Sequence, residues 1–336
     1  MRVLPDCLAR HVTCSLHAAL RESTEVYWIV RERVKAPVPR GVHALLARRS
    51  ESLDCSFTSV RIRRSGSVAR PVMHEDFYSS VLQAAESAKV IDPTMRVLVV
   101  AGGGYDRDVF LARGYREVTI SNVDTRIDTS GAYAPYAWSY QDAESLSAEP
   151  DSFDVVVVHA GLHHCYSPHR ALAEMYRVAR RAVVLVEARD SLLVRLAARL
   201  GFTDDYEVEA VVANGYVAGG VANSSVPNYV YRWTERELEK FVRSLDPTGA
   251  PQLRYVYGLR LPFQRLAMHR NPAKRVVAHL SSGLVAVVQK IAPRQGNYFG
   301  AIIRKERDSS ELFPWLVGGT PGPAINRAWC EARYSR

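Results

Sequence analysis

The chain has 336 residues, of which 47% are hydrophobic and 24% charged, a composition that excludes a disordered or fibrous protein. Its net charge of +9 is uneven: positions 247 to 305 hold ten Lys or Arg and no Asp or Glu, a block that attracts anions. Five scattered cysteines without a Cys-x-x-Cys pair exclude a disulfide framework, and the lack of a long apolar run near the N-terminus or in the stretch 276–292 sets the expectation of a soluble, cytoplasmic protein.

Residues 1–73 are weakly patterned and read as an N-terminal extension, with a helix expected over 16–34 and a strand over 56–64. Apolar residues at Phe77, Val81, Leu82 and Ala85 have helical spacing and lead into the core. Four apolar residues, Val97 to Val100, then run into Gly102-Gly103-Gly104, a buried strand ending in a turn where the backbone passes close to something. A helix over 106–113 stops at Gly114, and a second strand over 117–121 leads to Asn122-Val123-Asp124. Further strands are expected at 137–140, 153–158 and 182–187, with a short helix after Gln141 and a longer one over 168–179.

This alternation predicts an α/β fold, a Rossmann-like doubly wound and mostly parallel seven-stranded sheet, with a lid insertion after strand 5. The core would span 74–190. Residues 191–252 would hold the lid and a helix capped by Thr234, 253–310 the last strands and a basic helical insertion, and 311–336 a C-terminal tail.

A glycine turn after a first strand can serve several nucleotides, and its spacing discriminates among them. The dinucleotide pattern Gly-x-Gly-x-x-Gly fails because Arg107 stands at the third glycine, and no Gly-Lys-Ser/Thr of a P-loop is present. Asp124, 21 residues beyond Gly103, stands where a parallel sheet would bring a carboxylate near a bound nucleoside.

From Val97 to Ala188 the order of features resembles the class I S-adenosylmethionine-dependent methyltransferases of the type 11 group. The resemblance rests on Val97-Leu-Val-Val-Ala-Gly-Gly-Gly, Asp124, Gln141-Asp142-Ala143 before Phe153-Asp154, and Leu162-His163-His164 before Ala171 to Val178. It implies S-adenosylmethionine as cofactor, with Ala101, Gly102, Gly103, Gly104 and Tyr105 under its methionine moiety. Asp124 would hold the ribose hydroxyls, Asp142 with Ala143 the adenine, and His159 to His163 the side facing the reactive methyl. The chain departs from the family pattern where Ala101 and Tyr105 replace glycines and Asn122 occupies the register of the ribose acid.

Four histidines fall between His159 and His169. His159 lies in an apolar strand, His163 and His164 are expected to point apart, and no neighbouring carboxylate completes a set, so no metal site is expected. If a hydroxyl is methylated it must lose a proton, and His163 or His164 is the candidate base, with His159 behind them. Tyr216, Tyr229, Tyr231 and Trp233 read either as an aromatic wall around a substrate or as a second core, while Arg260, Arg265 and His269 are candidates for an anionic acceptor.

The leading expectation is methylation of a small-molecule hydroxyl, on a sugar or specialised metabolite. The competing readings are a nucleic-acid methyltransferase, which lacks its (Asp/Asn)-Pro-Pro-(Tyr/Phe) element here, and a non-catalytic binding protein with a degenerate cofactor site. Peripheral contact of the basic block with an anionic membrane, and assembly as a dimer, stay open.

Overall fold

The computed structural model describes residues 77–126, 131–260, 275–276, 285, 287–305, 309–320 and 322–334. The chain divides into two compact units, Met1–Glu75 and Asp76–Arg336, and the second holds every described element. The expected helix at 16–34 and strand at 56–64, together with Arg265 and His269, lie outside the described residues.

The second unit begins with helix α1 (Phe77–Ser87), strand β1 (Val97–Val100), helix α2 (Gly104–Ala112) and strands β2 (Val118–Asn122), β3 (Ala137–Tyr140) and β4 (Phe153–His159). Helix α3 (Pro168–Val178) and strand β5 (Ala179–Ala188) follow, then helices α4 (Leu192–Arg199), α5 (Val208–Ala213) and α6 (Glu235–Leu245). Strands β6 (Gln252–Gly258) and β7 (Tyr298–Arg304) complete the sheet, and a small hairpin, β8 (Leu316–Val317) with β9 (Ala324–Ile325), precedes helix α7 (Arg327–Tyr334).

The seven strands lie in the order β3-β2-β1-β4-β5-β7-β6, with β7 antiparallel to β5 and β6 and all other pairs parallel. The valine runs are continuous because both faces are covered. Leu98, Val100, Val156, Val158 and Val183 face α3 and α6, and Val97, Val99, Val155, Val157 and Val184 pack with residues of α1. The chain winds outward from β1 through β2 to β3 and then crosses back to β4, so the sheet has its switch point between β1 and β4. A crevice outside the carboxyl ends of the strands forms at such a point.

Two local expectations change. Helix α2 starts two residues earlier than its sequence pattern suggests, because the Asp106 carboxylate accepts the Gly103 N–H at 2.8 Å and closes the first turn. The short helix after Gln141 is replaced by a turn, since Asp142 Oδ1 accepts the Glu144 N–H at 2.9 Å and Glu174 takes the Leu146 N–H at 3.0 Å. Helices α5 and α7 and the hairpin carried no clear signal. Among the described residues no helix is long and apolar enough to cross a membrane.

Candidate functional site

The strand ends around the switch point are tightly built. Ala101, after β1, and Ala160, after β4, both adopt left-handed backbone with φ of 51° and 52°. Such conformations cost an L-residue energy and persist where the surroundings fix them. Gly161 touches that corner: a Cβ there would sit 2.7 Å from the Cβ of Ala101. Gly102 donates to Ser121 O at 2.8 Å, and a Cβ on it would meet Val99 at 2.6 Å.

Three strands contribute the donor side. Asn122 donates through Nδ2 to Gly102 O at 3.0 Å and accepts the Asp124 N–H at 2.9 Å, so it braces the glycine turn against the loop that carries Asp124. Asp124, the better nucleoside partner by chemistry, receives Arg126 Nε at 2.8 Å and a side-chain bond from Asn223 of the lid. Burial favours its neutral form, but the Arg126 hydrogen bonds and charge outweigh this and hold its carboxyl below the usual value. Arg126 reaches this carboxylate three times, through its backbone N–H at 3.0 Å, Nε at 2.8 Å and Nη2, and with Asn223 these partners occupy its about four lone-pair sites, so a ribose diol would have to displace one of them. Asp142 follows β3, with Ala143 buried beside it.

These positions fit the cofactor that the resemblance implies. Asp142, Asp124, the turn Ala101–Tyr105 and His159 follow β3, β2, β1 and β4, which are successive neighbours in the sheet. At about 4.8 Å per strand they line roughly 14 Å of the sheet edge. An elongated nucleoside with an amino-acid arm has polar partners along that edge in the order adenine, ribose, methionine.

His159 closes the row. Its ring stacks on Tyr78, with centroids 4.5 Å apart and planes 5° from parallel, and lies 5.5 Å from Tyr105. Burial pushes its pKa down to about 4, so it is a neutral ring in an aromatic wall and a weak base. The charge of the exposed Arg260 also lowers the His159 pKa.

Beyond β4 the chain turns through Leu162–His164, and here the structure overturns the expected divergence of the histidines. The rings of His163 and His164 lie 4.6 Å apart at centroid, and a carboxylate joins them. His163 Nε2 is 3.3 Å and His164 Nε2 3.4 Å from the same oxygen, Oε2 of Glu207. Asn228 Nδ2 reaches Glu207 Oε2 as well, at 3.3 Å. His164 also hydrogen-bonds the backbone of Gly220 in the lid.

A second carboxylate lies underneath. Glu187, in β5, has no solvent exposure; its Oε1 accepts the N–H groups of Gly161 and Leu162 at 2.9 and 2.7 Å, and its Oε2 sits 2.8 Å from His163 Nδ1. Burial opposes a charge on His163, but the Glu187 and Glu207 carboxylates outweigh it and raise its pKa. Burial also favours a neutral Glu207, and the His163 hydrogen bond and charge, with His164 and Asn228, bring its pKa below the usual value instead. His164 is held neutral by burial and by the neighbouring His163 charge.

The expected aromatic wall is not one cluster. Trp233 is fully buried and packs with Tyr231 and His169, while Tyr229 pairs with Tyr206 at 5.6 Å and is half exposed. Tyr216 is exposed on the lid. Sequence reasoning missed Glu187, Glu207, Asn228 and Tyr78. Glu187 had a signal, a lone acid at the end of Ala182-Val-Val-Leu-Val186; Glu207 had none, because only folding of the lid brings it to the histidines.

Residues 99–186 match the model of a family described as a methyltransferase domain. No curated protein matches the sequence. Among solved structures, the chain is similar to a possible histamine N-methyltransferase from Thermotoga maritima, at 14% identity and TM-score 0.39, over 68% of this chain and 91% of that one. It is similar to magnesium protoporphyrin IX methyltransferase from Synechocystis at 12% identity and TM-score 0.39, over 68% and 82%. A third likeness, to a putative methyltransferase from Bacillus halodurans, has 16% identity and TM-score 0.41 over 69% and 99%. At these identities the acceptors named for those proteins do not carry over.

Proposed function

We propose that this chain, which carries a class I S-adenosylmethionine-dependent methyltransferase domain of the type 11 group at residues 99–186, methylates a hydroxyl of a small-molecule acceptor such as a sugar or specialised metabolite. The observation that carries the choice of oxygen is the cluster of His163, His164 and Glu207 at the carboxyl end of β4, the group that follows His159 along the chain. A hydroxyl needs a proton acceptor at this place, whereas a neutral amine can attack without one.

The cofactor supplies, when bound, a methyl carbon on a cationic sulfonium. The chain's own residues do the rest. Asp142 and Ala143 would hold the adenine, Asp124 the ribose diol, and the turn Ala101–Tyr105 the methionine arm, an arrangement that would align the methyl donor with an acceptor. Glu187 fixes His163 through three hydrogen bonds, two of them from the backbone that carries the ring. The acceptor oxygen would approach between that crevice and the cluster and give its proton to the cluster, the methyl carbon's bond to sulfur breaking as the oxygen takes it and a neutral thioether leaving. Tyr216, Tyr229 and Arg260 are the proposed acceptor contacts; all three are exposed, and Arg260 suits an anionic acceptor.

A labelled methyl group presented to a panel of hydroxyl-bearing sugars and metabolites, beside RNA and DNA, tests the reading. The expected result is label on small-molecule oxygen, with turnover about 100- to 10,000-fold lower in His164→Ala, the range a positioned acid or base contributes. Label confined to nucleic acid, or unchanged turnover in both His163→Ala and His164→Ala, would overturn it.

A further inference from the structure

We infer that His163, His164 and Glu207 form a binding site for one divalent transition-metal ion of the Zn2+ kind, with a fourth position open toward the acceptor crevice. The donor set is two imidazole nitrogens and one carboxylate oxygen, all within 4.8 Å of one another. Such a set suits Zn2+ and its first-row neighbours, whereas Mg2+ and Ca2+ favour oxygen donors.

The spacing of the donor atoms fits an ion. A charge-assisted N–H···O bond is about 2.7 to 2.9 Å long, and His163 makes one of that length to Glu187, at 2.8 Å. The contacts of both rings with Glu207 are 3.3 and 3.4 Å. A tetrahedral ion with bonds of about 2.0 to 2.1 Å holds its ligand atoms about 3.3 to 3.4 Å apart. Three nitrogens, from His163, His164 and Asn228, also converge on the single oxygen Oε2 of Glu207, more than one carboxylate oxygen satisfies well.

The surroundings have the form of an outer ligand shell. Metal-binding histidines donate their other ring N–H to a carboxylate or carbonyl, which fixes the tautomer and the ring. Here Glu187, fully buried, holds His163 through Nδ1, Gly220 holds His164, and Asn228, itself buried, holds Glu207. Two of the three donors come from the turn after β4 and the third from the segment before α5, so an ion would tie the lid to the core. The inference rests on the proposed reading in one respect, that the acceptor oxygen approaches this cluster. An ion there displaces a proton from His163 Nε2 to water, takes the acceptor hydroxyl as its fourth ligand and, with the histidines and Glu207 ligated in place of serving as base, lets that hydroxyl release its proton to water.

The test uses the full chain after dialysis against a chelator, titrated calorimetrically with Zn2+ and separately with Mg2+. The expected result is one Zn2+ per chain and no Mg2+ binding. Affinity should fall about 10- to 100-fold in Glu187→Gln, the cost of removing an outer-shell partner, and binding should vanish in Glu207→Ala and His164→Ala. Co2+ should give the intense visible bands of a four-coordinate ion. Glu207→Gln, which keeps the bond to Asn228 but not the anionic ligand, serves if the alanine variants fail to fold. No Zn2+ binding, or binding unchanged in Glu207→Gln and His164→Ala, overturns the site. S-adenosylhomocysteine titrated into the same sample separates the two readings: its binding without Zn2+ binding sinks the metal site alone, and the reverse sinks the methyltransferase reading alone.

Discussion

Glu187→Gln is the most informative single change, because the side chain keeps its shape while one interaction reverses sign. Glu187 Oε1 holds the Gly161 and Leu162 N–H groups, and a glutamine oxygen can keep both. The new amide must then face His163 Nδ1, 2.8 Å away in the native protein, so either two donors meet or the ring gives up its Nδ1 proton and with it the charge that faced the carboxylate. Both side chains are buried, so neither finds water in exchange. Breaking a buried pair by altering one partner costs about 3 to 5 kcal/mol. With two of three hydrogen bonds retained, the lower end applies, about 3 kcal/mol, and at about 2 to 4 °C per kcal/mol the melting temperature drops by about 6 to 12 °C. Urea unfolding followed by tryptophan fluorescence measures it, since Trp233 is fully buried. A double-mutant cycle with His163→Ala should recover a coupling of about 1 to 3 kcal/mol. A loss below about 0.5 kcal/mol, the range of ordinary surface substitutions, would refute the claim that Glu187 anchors the histidine turn.

Asp124→Asn should weaken S-adenosylhomocysteine binding about tenfold by calorimetry, the equivalent of one hydrogen bond to a charged group, about 1.5 kcal/mol. Because the folded pKa of Asp124 lies below its ordinary 3.8, wild-type affinity should be flat through neutral pH and fall only as the medium becomes more acidic than that value. Gly102→Ala should cost about 1 to 3 kcal/mol in urea unfolding, since the added Cβ would lie 2.6 Å from Val99 and the β1–β2 packing must shift. Asp154 is a purely structural control: it accepts Arg96 N–H at 2.8 Å and Arg180 Nε at 2.9 Å, and its carboxyl is held below 3.8 despite burial. A depressed native pKa contributes stability that is present above the unfolded value and lost as pH falls, so Asp154→Asn should flatten the acid limb of the stability curve and leave S-adenosylhomocysteine binding unchanged.

The strand ends on which the proposed donor side lies were legible in the chain because each is local. Val97 to Val100 end in glycines, Asp124 and Asp142 fall just past the next two strands, and a parallel sheet places such positions side by side whatever the helices do. The acceptor side was not legible, for an equally physical reason. Glu207 lies 43 positions beyond His164 in a segment without periodicity, and only the lid's fold brings the two within 3.4 Å. The same holds for Tyr78, which no spacing singled out and which turns out to stack on His159. The aromatic residues 216–233 were misjudged as one group because closeness in sequence was read as closeness in space. Trp233 bridges to Arg189 beside the sheet and is buried in the core, whereas Tyr229 bridges to Tyr206 outside it and is exposed.

The account rests on one spatial relation, that the transferable methyl faces the cluster of His163, His164 and Glu207. A crystal structure of the full chain with S-adenosylhomocysteine tests it directly. The account predicts adenine beside Asp142 and Ala143, the ribose diol on Asp124, and the sulfur turned toward His164 with room for one acceptor oxygen between them. Adenine at the β4 end of the crevice, or a sulfur walled off from the histidines by Tyr105, would contradict it.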